Sequence, residues 1–182
     1  MKTNHSLVAV LATNTPPDLG PGPRSDVQSL RPLQAAIDEA LRKNSLPTTQ
    51  GEVARALVLL WHDHHEPAHT IVQDLSTADA SYVHAILHRR EPDFGNAKYW
   101  FRRVGTHSCH PALAHAAGNQ LQDPSFAGLR SKLLPGGNWD AFAFVDACEA
   151  ASAKAANPRI AETLREIQAT EFRLLLESLT KA

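Results

Sequence analysis

TQGEVARALVLLWHDHHEPAHTIVQDLSTADASYVHAILHRREPDFGNAKYWFRRVG, Thr49 to Gly105, reads as a run of short helices broken at polar corners. Thr49 and Glu52 stand at capping-box spacing ahead of Val53, Leu57, Leu60, Trp61 and His64, which recur at the helical period. Pro67 restarts a short helix carrying His69, Ile71, Val72 and Leu75. Ser76 with Asp79 predicts a further cap before Tyr82, Val83, Ile86 and Leu87. Asp93 or Asn96 can cap a helix bearing Ala97, Trp100, Phe101 and Val104, with Gly105 placed as its stop. The residues His62, Asp63, His64 and His65 therefore fall at a helix-helix corner.

The flanks continue the pattern. Upstream, Pro32 opens a helix with Leu33, Ile37, Ala40 and Leu41 on one face. Downstream, Pro111 and Pro124 look like first-turn prolines. Trp139 to Ala156 is alanine-rich, and Asn157-Pro158 starts a helix with Ile160, Leu164, Ile167, Leu174, Leu175 and Leu179. No run has the β-branched alternation of strands. The expected fold is an all-α, single-domain helical bundle over residues 25–182. Ahead of it, Pro16, Pro17, Gly20, Pro21, Gly22 and Pro23 resist regular structure, so residues 1–24 are expected to form a flexible, disordered N-terminal arm.

Composition narrows the function classes. At 182 residues and 43% hydrophobic content the chain can bury one core of ordinary size. With 18 basic and 19 acidic residues, nothing global draws it to nucleic acid or to a membrane surface. Cys109 and Cys148 are too few and too far apart for a disulfide framework. Leu7 to Ala12 is short for a secretory segment, and no uncharged run approaches the ~20 residues of a spanning helix. The cytoplasm is the expected compartment. The sequence carries no signal for oligomeric state.

Chemistry is concentrated in the middle. Eight of the ten histidines (His62, His64, His65, His69, His84, His88, His107 and His110) lie between Trp61 and Pro111. His84 and His88 are four apart on one helix, which sets two imidazoles on one face at a separation a single metal ion can bridge. Glu91 continues that face. A third ligand can come from the corner histidines His62, His64, His65 or His69, and mixed imidazole and carboxylate shells suit Zn, Mn, Fe or Ni. The competing expectation is that these rings only hydrogen-bond to carboxylates or carbonyls. The HExxH pattern of metalloproteases is missing, since Ala85 follows His84. Cys109 lies between His107 and His110, but spacing fixes no activating neighbour for it.

His88 to Gly105 holds Arg89, Arg90, Lys98, Arg102 and Arg103 against Glu91 and Asp93, a local charge of +3. Such a patch can clamp a phosphate or carboxylate through guanidinium forks, with Tyr99 or Trp100 against a ring. In the alternative, Trp100, Phe101 and Val104 are core and the arginines are a solvated face.

WHDH at Trp61 to His64, HAILHRREPDFGNAKYWFRRVG at His84 to Gly105, and His110-Pro111 resemble an uncharacterised family of bacterial and fungal proteins. That family carries similar WHDH, HRRE, NAKYWFRR and His-Pro elements, and the likeness covers about the middle third of the chain. No activity is established for the family, so the resemblance implies a shared site without naming its chemistry. GTHSCHP inserts residues between Gly105 and the His-Pro pair, a departure that unsettles the equivalence of His107 and His110.

These readings converge on a small metal-assisted enzyme, hydrolytic, acting on an anionic small molecule. In it His62, His64, His84 and His88 are the expected ligands of a divalent metal ion. Asp63 or Glu91 would be the general base, and Arg89 and Arg90 the anion clamp, with Lys98, Tyr99 and Arg102 adding substrate contacts. The alternative is a non-catalytic module whose polar His/Arg pocket binds a ligand or peptide. Nucleic-acid binding through Lys98 to Arg103 is a weaker third reading.

Overall fold

The computed structural model describes residues 5–153 and 157–180, with no side-chain description for residues 5 and 6. Its helices are α1 (His5–Val10), α2 (Leu30–Asn44), α3 (Thr48–Trp61), α4 (His65–Val72), α5 (Ala78–Arg90), α6 (Phe94–Val104), α7 (His110–Gln120), α8 (Ala127–Leu133), α9 (Ala141–Ala151) and α10 (Pro158–Thr180). No strand occurs among the described residues, as the hydrophobic period predicts. None of their helices is long and apolar enough to cross a membrane.

The centre of the bundle is α5. Every residue from Ala80 to Arg90 is buried, so this helix is enclosed on all sides instead of presenting one stripe to the core. It packs against α6, α4 and α3, while α10 closes the body against α3, α7 and α9. Enclosure forces a condition on the polar residues of α5: Ser81, His84, His88, Arg89 and Arg90 must find partners inside.

Arg89 meets that condition on α10. It donates to Glu171 Oε1 at 3.3 Å and to Gln168 Oε1 at 3.2 Å, and its guanidinium lies 4.5 Å from the Phe144 ring centroid. Arg90 meets it through Asp63 Oδ1, at 2.6 Å, and through the carbonyls of Asp18, Gly20 and Leu60.

Two of those carbonyls belong to the segment expected as an arm, and its neighbours pack on the body. Leu7, Val10 and Leu11 are buried in the core, and α1 packs on α2 and α10. Residues 13–24 form no helix, as their prolines dictate, yet they are pinned. Gln168 Nε2 donates to Pro17 O and Asp18 O, Trp61 Nε1 donates to Thr13 Oγ1, and Arg24 donates to Asp63 and to Trp61 O. A segment without secondary structure keeps its carbonyls free, and here buried guanidinium and amide donors use them as acceptors. The packed body therefore begins well before Ser25. The first four residues of the expected arm, and residues 154–156 at the end of the alanine-rich segment, lie outside the described residues.

Two caps differ from expectation and a third, at Asp93, meets it. The Thr49-Glu52 box does not form, because α3 starts at Thr48 behind Pro47 and both residues lie inside it. Thr77, not Ser76, caps α5 by accepting from the Ala80 N–H, which leaves Asp79 free to meet His107. Asp93 caps α6 by accepting from the Asn96 N–H, which leaves the Asn96 side chain for His88. Gly105 stops α6 at φ 63°, a left-handed conformation that glycine adopts without strain.

Candidate metal centre

α4 and α5 bring three imidazoles together. His69 from α4 meets His84 and His88 from α5, with one ligating nitrogen of each lying within 4.8 Å of the others. The His84 and His88 rings are stacked, 4.8 Å apart at 21°, as one helical turn requires. His69 approaches edge-on, 4.8 Å from the His84 ring and 5.6 Å from the His88 ring. His84 and His88 are buried and His69 is half-buried.

Burial decides the protonation state. It pushes His84 down to about 3, with neighbouring His88 and His69 adding to the effect. Burial also lowers His88, against the opposing pull of Glu91. Neutral imidazoles are the form that ligates a metal.

The surroundings are ordered. Trp100 lies flat on His84, with centroids 3.8 Å apart and planes at 18°. His88 Nδ1 is 3.2 Å from Glu91 Oε2, and His88 Nε2 is 3.1 Å from Asn96 Nδ2. Whichever His88 nitrogen takes an ion, the other is left facing a group that fixes the ring. Glu91 Oε1 also faces the half-buried His65, 3.9 Å away, whose imidazole burial pushes down to about 4. His84 Nδ1 is buried with no hydrogen-bond partner.

Of the residues assigned roles from sequence, His84, His88 and Glu91 meet here, joined by His69 from among the four corner histidines weighed as a third ligand, and the other assigned residues do not. His62 is buried beside the N-terminal segment: its Nε2 donates to Val10 O at 2.7 Å while its Nδ1 accepts from the Gln28 N–H. His64 Nε2 donates to Gln28 O at 2.8 Å. Both rings fasten the chain N-terminal to α2, so neither joins the triad. Asp63 is held between Arg24 and Arg90; burial pushes its carboxyl up, but the Arg24 N–H and the two guanidiniums outweigh that and hold it below the usual carboxylate range. A carboxylate so bound does not act as a free base. Arg89 and Arg90 have no exposed side-chain surface, so neither can clamp a ligand. Lys98 is paired with Asp146, and Arg102 lies over the Phe142 ring. Tyr99 is exposed and meets Trp100 edge-on at 5.3 Å.

His69, Trp100 and Asn96 are therefore the site residues that the ligand and clamp assignments missed. A signal for His69 exists. It sits four residues after His65 on the same helix, the spacing that marked His84 and His88, whereas His62 and His64 precede that helix.

A second polar chain lies outside the triad. His107 Nε2 is 2.8 Å from Asp79 Oδ1, and His107 Nδ1 is 3.0 Å from Cys109 Sγ. Burial pushes the Cys109 thiol up to about 12, so the S–H donates to His107 and the sulfur is no activated nucleophile.

Compared with protein-family models, curated proteins and solved structures, the chain matches none.

Proposed function

We propose that this protein is a divalent-metal enzyme, hydrolytic in its chemistry, that acts on an anionic small molecule at His69, His84 and His88. The observation that carries this reading is the convergence of three imidazoles, two of them buried and held neutral, on one point between α4 and α5. Three nitrogen ligands with an open position are the donor set of a catalytic zinc site, and Mn, Fe or Ni fit the same shell. A metal so held would supply a Lewis acid and a water acidified toward neutrality.

The chain's own residues divide the remaining work. Glu91, exposed and 3.2 Å from His88, would be the residue that accepts a proton beside the triad. Asn96 and Trp100 hold the His88 and His84 rings in register.

A second reading draws on His88 itself, both of whose nitrogens already have polar neighbours in Glu91 and Asn96. In that reading the cluster is a self-sufficient polar pocket of a non-catalytic binding module.

Elemental analysis of protein purified without a histidine tag separates the two. The metal-enzyme reading expects one ion per chain, lost in His69→Ala and in the His84→Ala, His88→Ala double variant while helical circular dichroism persists. Absence of bound metal, together with no rise in Tm on adding Zn, Mn, Fe or Ni, favours the binding module.

A further inference from the structure

The triad has a carboxylate and an aromatic wall, but the two arginines that sequence assigned to anion binding are sealed in the core. α6 supplies a replacement. Asn96, Trp100 and Arg103 recur at i, i+4 and i+7, so they form one stripe along the helix. The first contacts His88 and the second lies flat on His84, which fixes the stripe against the triad face of α5. Arg103 is next along it. Its guanidinium carbon is 5.3 Å from the Trp100 ring centroid, it is exposed, and it has no carboxylate partner among the described residues. The other cations of this stretch are committed elsewhere: Arg89 to Glu171, Arg90 to Asp63 and Lys98 to Asp146, with Arg102 set over Phe142.

We propose that Arg103 is the anion-recognising residue of the His69–His84–His88 site, and that its ligands are small organic or inorganic oxyanions, carboxylates or phosphates. Trp100 makes this more than an exposed charge. One indole packs on the His84 ring and carries the guanidinium, so cation–π contact ties the fork of donors to the residue that orients His84. A planar fork matches the paired oxygens of a carboxylate or phosphate and discriminates against neutral isosteres.

The metal-enzyme reading gives this assignment its catalytic meaning, but oxyanion binding is measurable without metal. Benzoate, inorganic phosphate and neutral benzamide are titrated against metal-free and zinc-loaded protein, followed by tryptophan fluorescence. Zinc stoichiometry is measured separately on the same samples. Wild-type protein is expected to bind benzoate, phosphate or both in preference to benzamide in the metal-free state, and the anion that binds names the class. Arg103→Gln should weaken that binding about tenfold or more, as loss of a bidentate charged contact does, and Arg103→Lys should fall between. Zinc stoichiometry should be the same in all three proteins. Failure of wild-type protein to bind either anion, or unchanged anion affinity in Arg103→Gln, overturns the assignment. Failure of wild-type protein to bind zinc, with the Arg103-dependent anion affinity intact, overturns the metal reading alone.

Discussion

The His84 imidazole lies flat against the Trp100 indole, with centroids 3.8 Å apart and planes at 18°, so the orientation of a candidate metal ligand on α5 is set by a residue of α6. Removing the indole frees the ring to rotate. Trp100→Ala should weaken zinc binding by about 10- to 100-fold, the usual consequence of losing a group that orients a ligand. Trp100→Phe keeps a flat surface and should lose far less. Competition against a chromophoric chelator gives the affinities, and far-ultraviolet circular dichroism should be the same for all three proteins. Equal zinc affinity in wild type and Trp100→Ala would show that the stacking has no part in holding the site.

The packed N-terminal segment gives a second prediction. Gly22 has φ 78°, and a Cβ placed there would lie 2.7 Å from Asp63 Oδ2, the carboxylate that Arg24 and Arg90 share. Gly22→Ala therefore combines backbone strain with a clash in a closed polar cluster, of order 1–3 kcal/mol. Tm should fall by about 2–4 °C for each kcal/mol in a chain of this size. Limited proteolysis should spare residues 13–24 in wild type and cut there in Gly22→Ala, with the helical spectrum retained. Rapid cleavage of the wild-type segment would mean that its contacts do not hold it.

The reach of the sequence ends where side chains cross between elements. His84 and His88 were legible as a pair because both lie on α5, and a helix fixes the relation of residues four apart. His69 could not be chosen over His62 or His64 in the same way, because that choice depends on how α4 is turned against α5 after the corner. Arg89 and Arg90 misled for a related reason. Charge argues for a surface, but α5 is enclosed on every side, and its guanidiniums are satisfied by Glu171 and Gln168 on α10 and by Asp63 and main-chain carbonyls that no local pattern reveals. The prolines and glycines of residues 13–24 correctly excluded a helix. They carried no information about docking, since the donors that capture this segment come from Arg90 and Gln168, far along the chain.

The last prediction concerns acid. Burial lowers His62, and pushes His65 and His110 down to about 4, while the same rings in the unfolded chain titrate near 6.5. The native state therefore binds fewer protons than the unfolded state over that interval, and stability must fall as pH drops through it. His62 shows the cause in its contacts. Its Nδ1 accepts from the Gln28 N–H while its Nε2 donates to Val10 O, an arrangement only the neutral ring can make. Each additional proton taken up on unfolding steepens the dependence by about 1.4 kcal/mol per pH unit. Metal-free protein should show a Tm that is level near neutrality and declines steeply from about pH 6.5 to about pH 4. In His110→Gln the decline should be shallower, because one of the contributing protons is gone. Asp63 adds its own loss only further down, as pH falls below the ordinary carboxylate range, because its native pKa is lowered. A Tm that stays constant between about pH 6.5 and about pH 5 would contradict neutral burial of these rings.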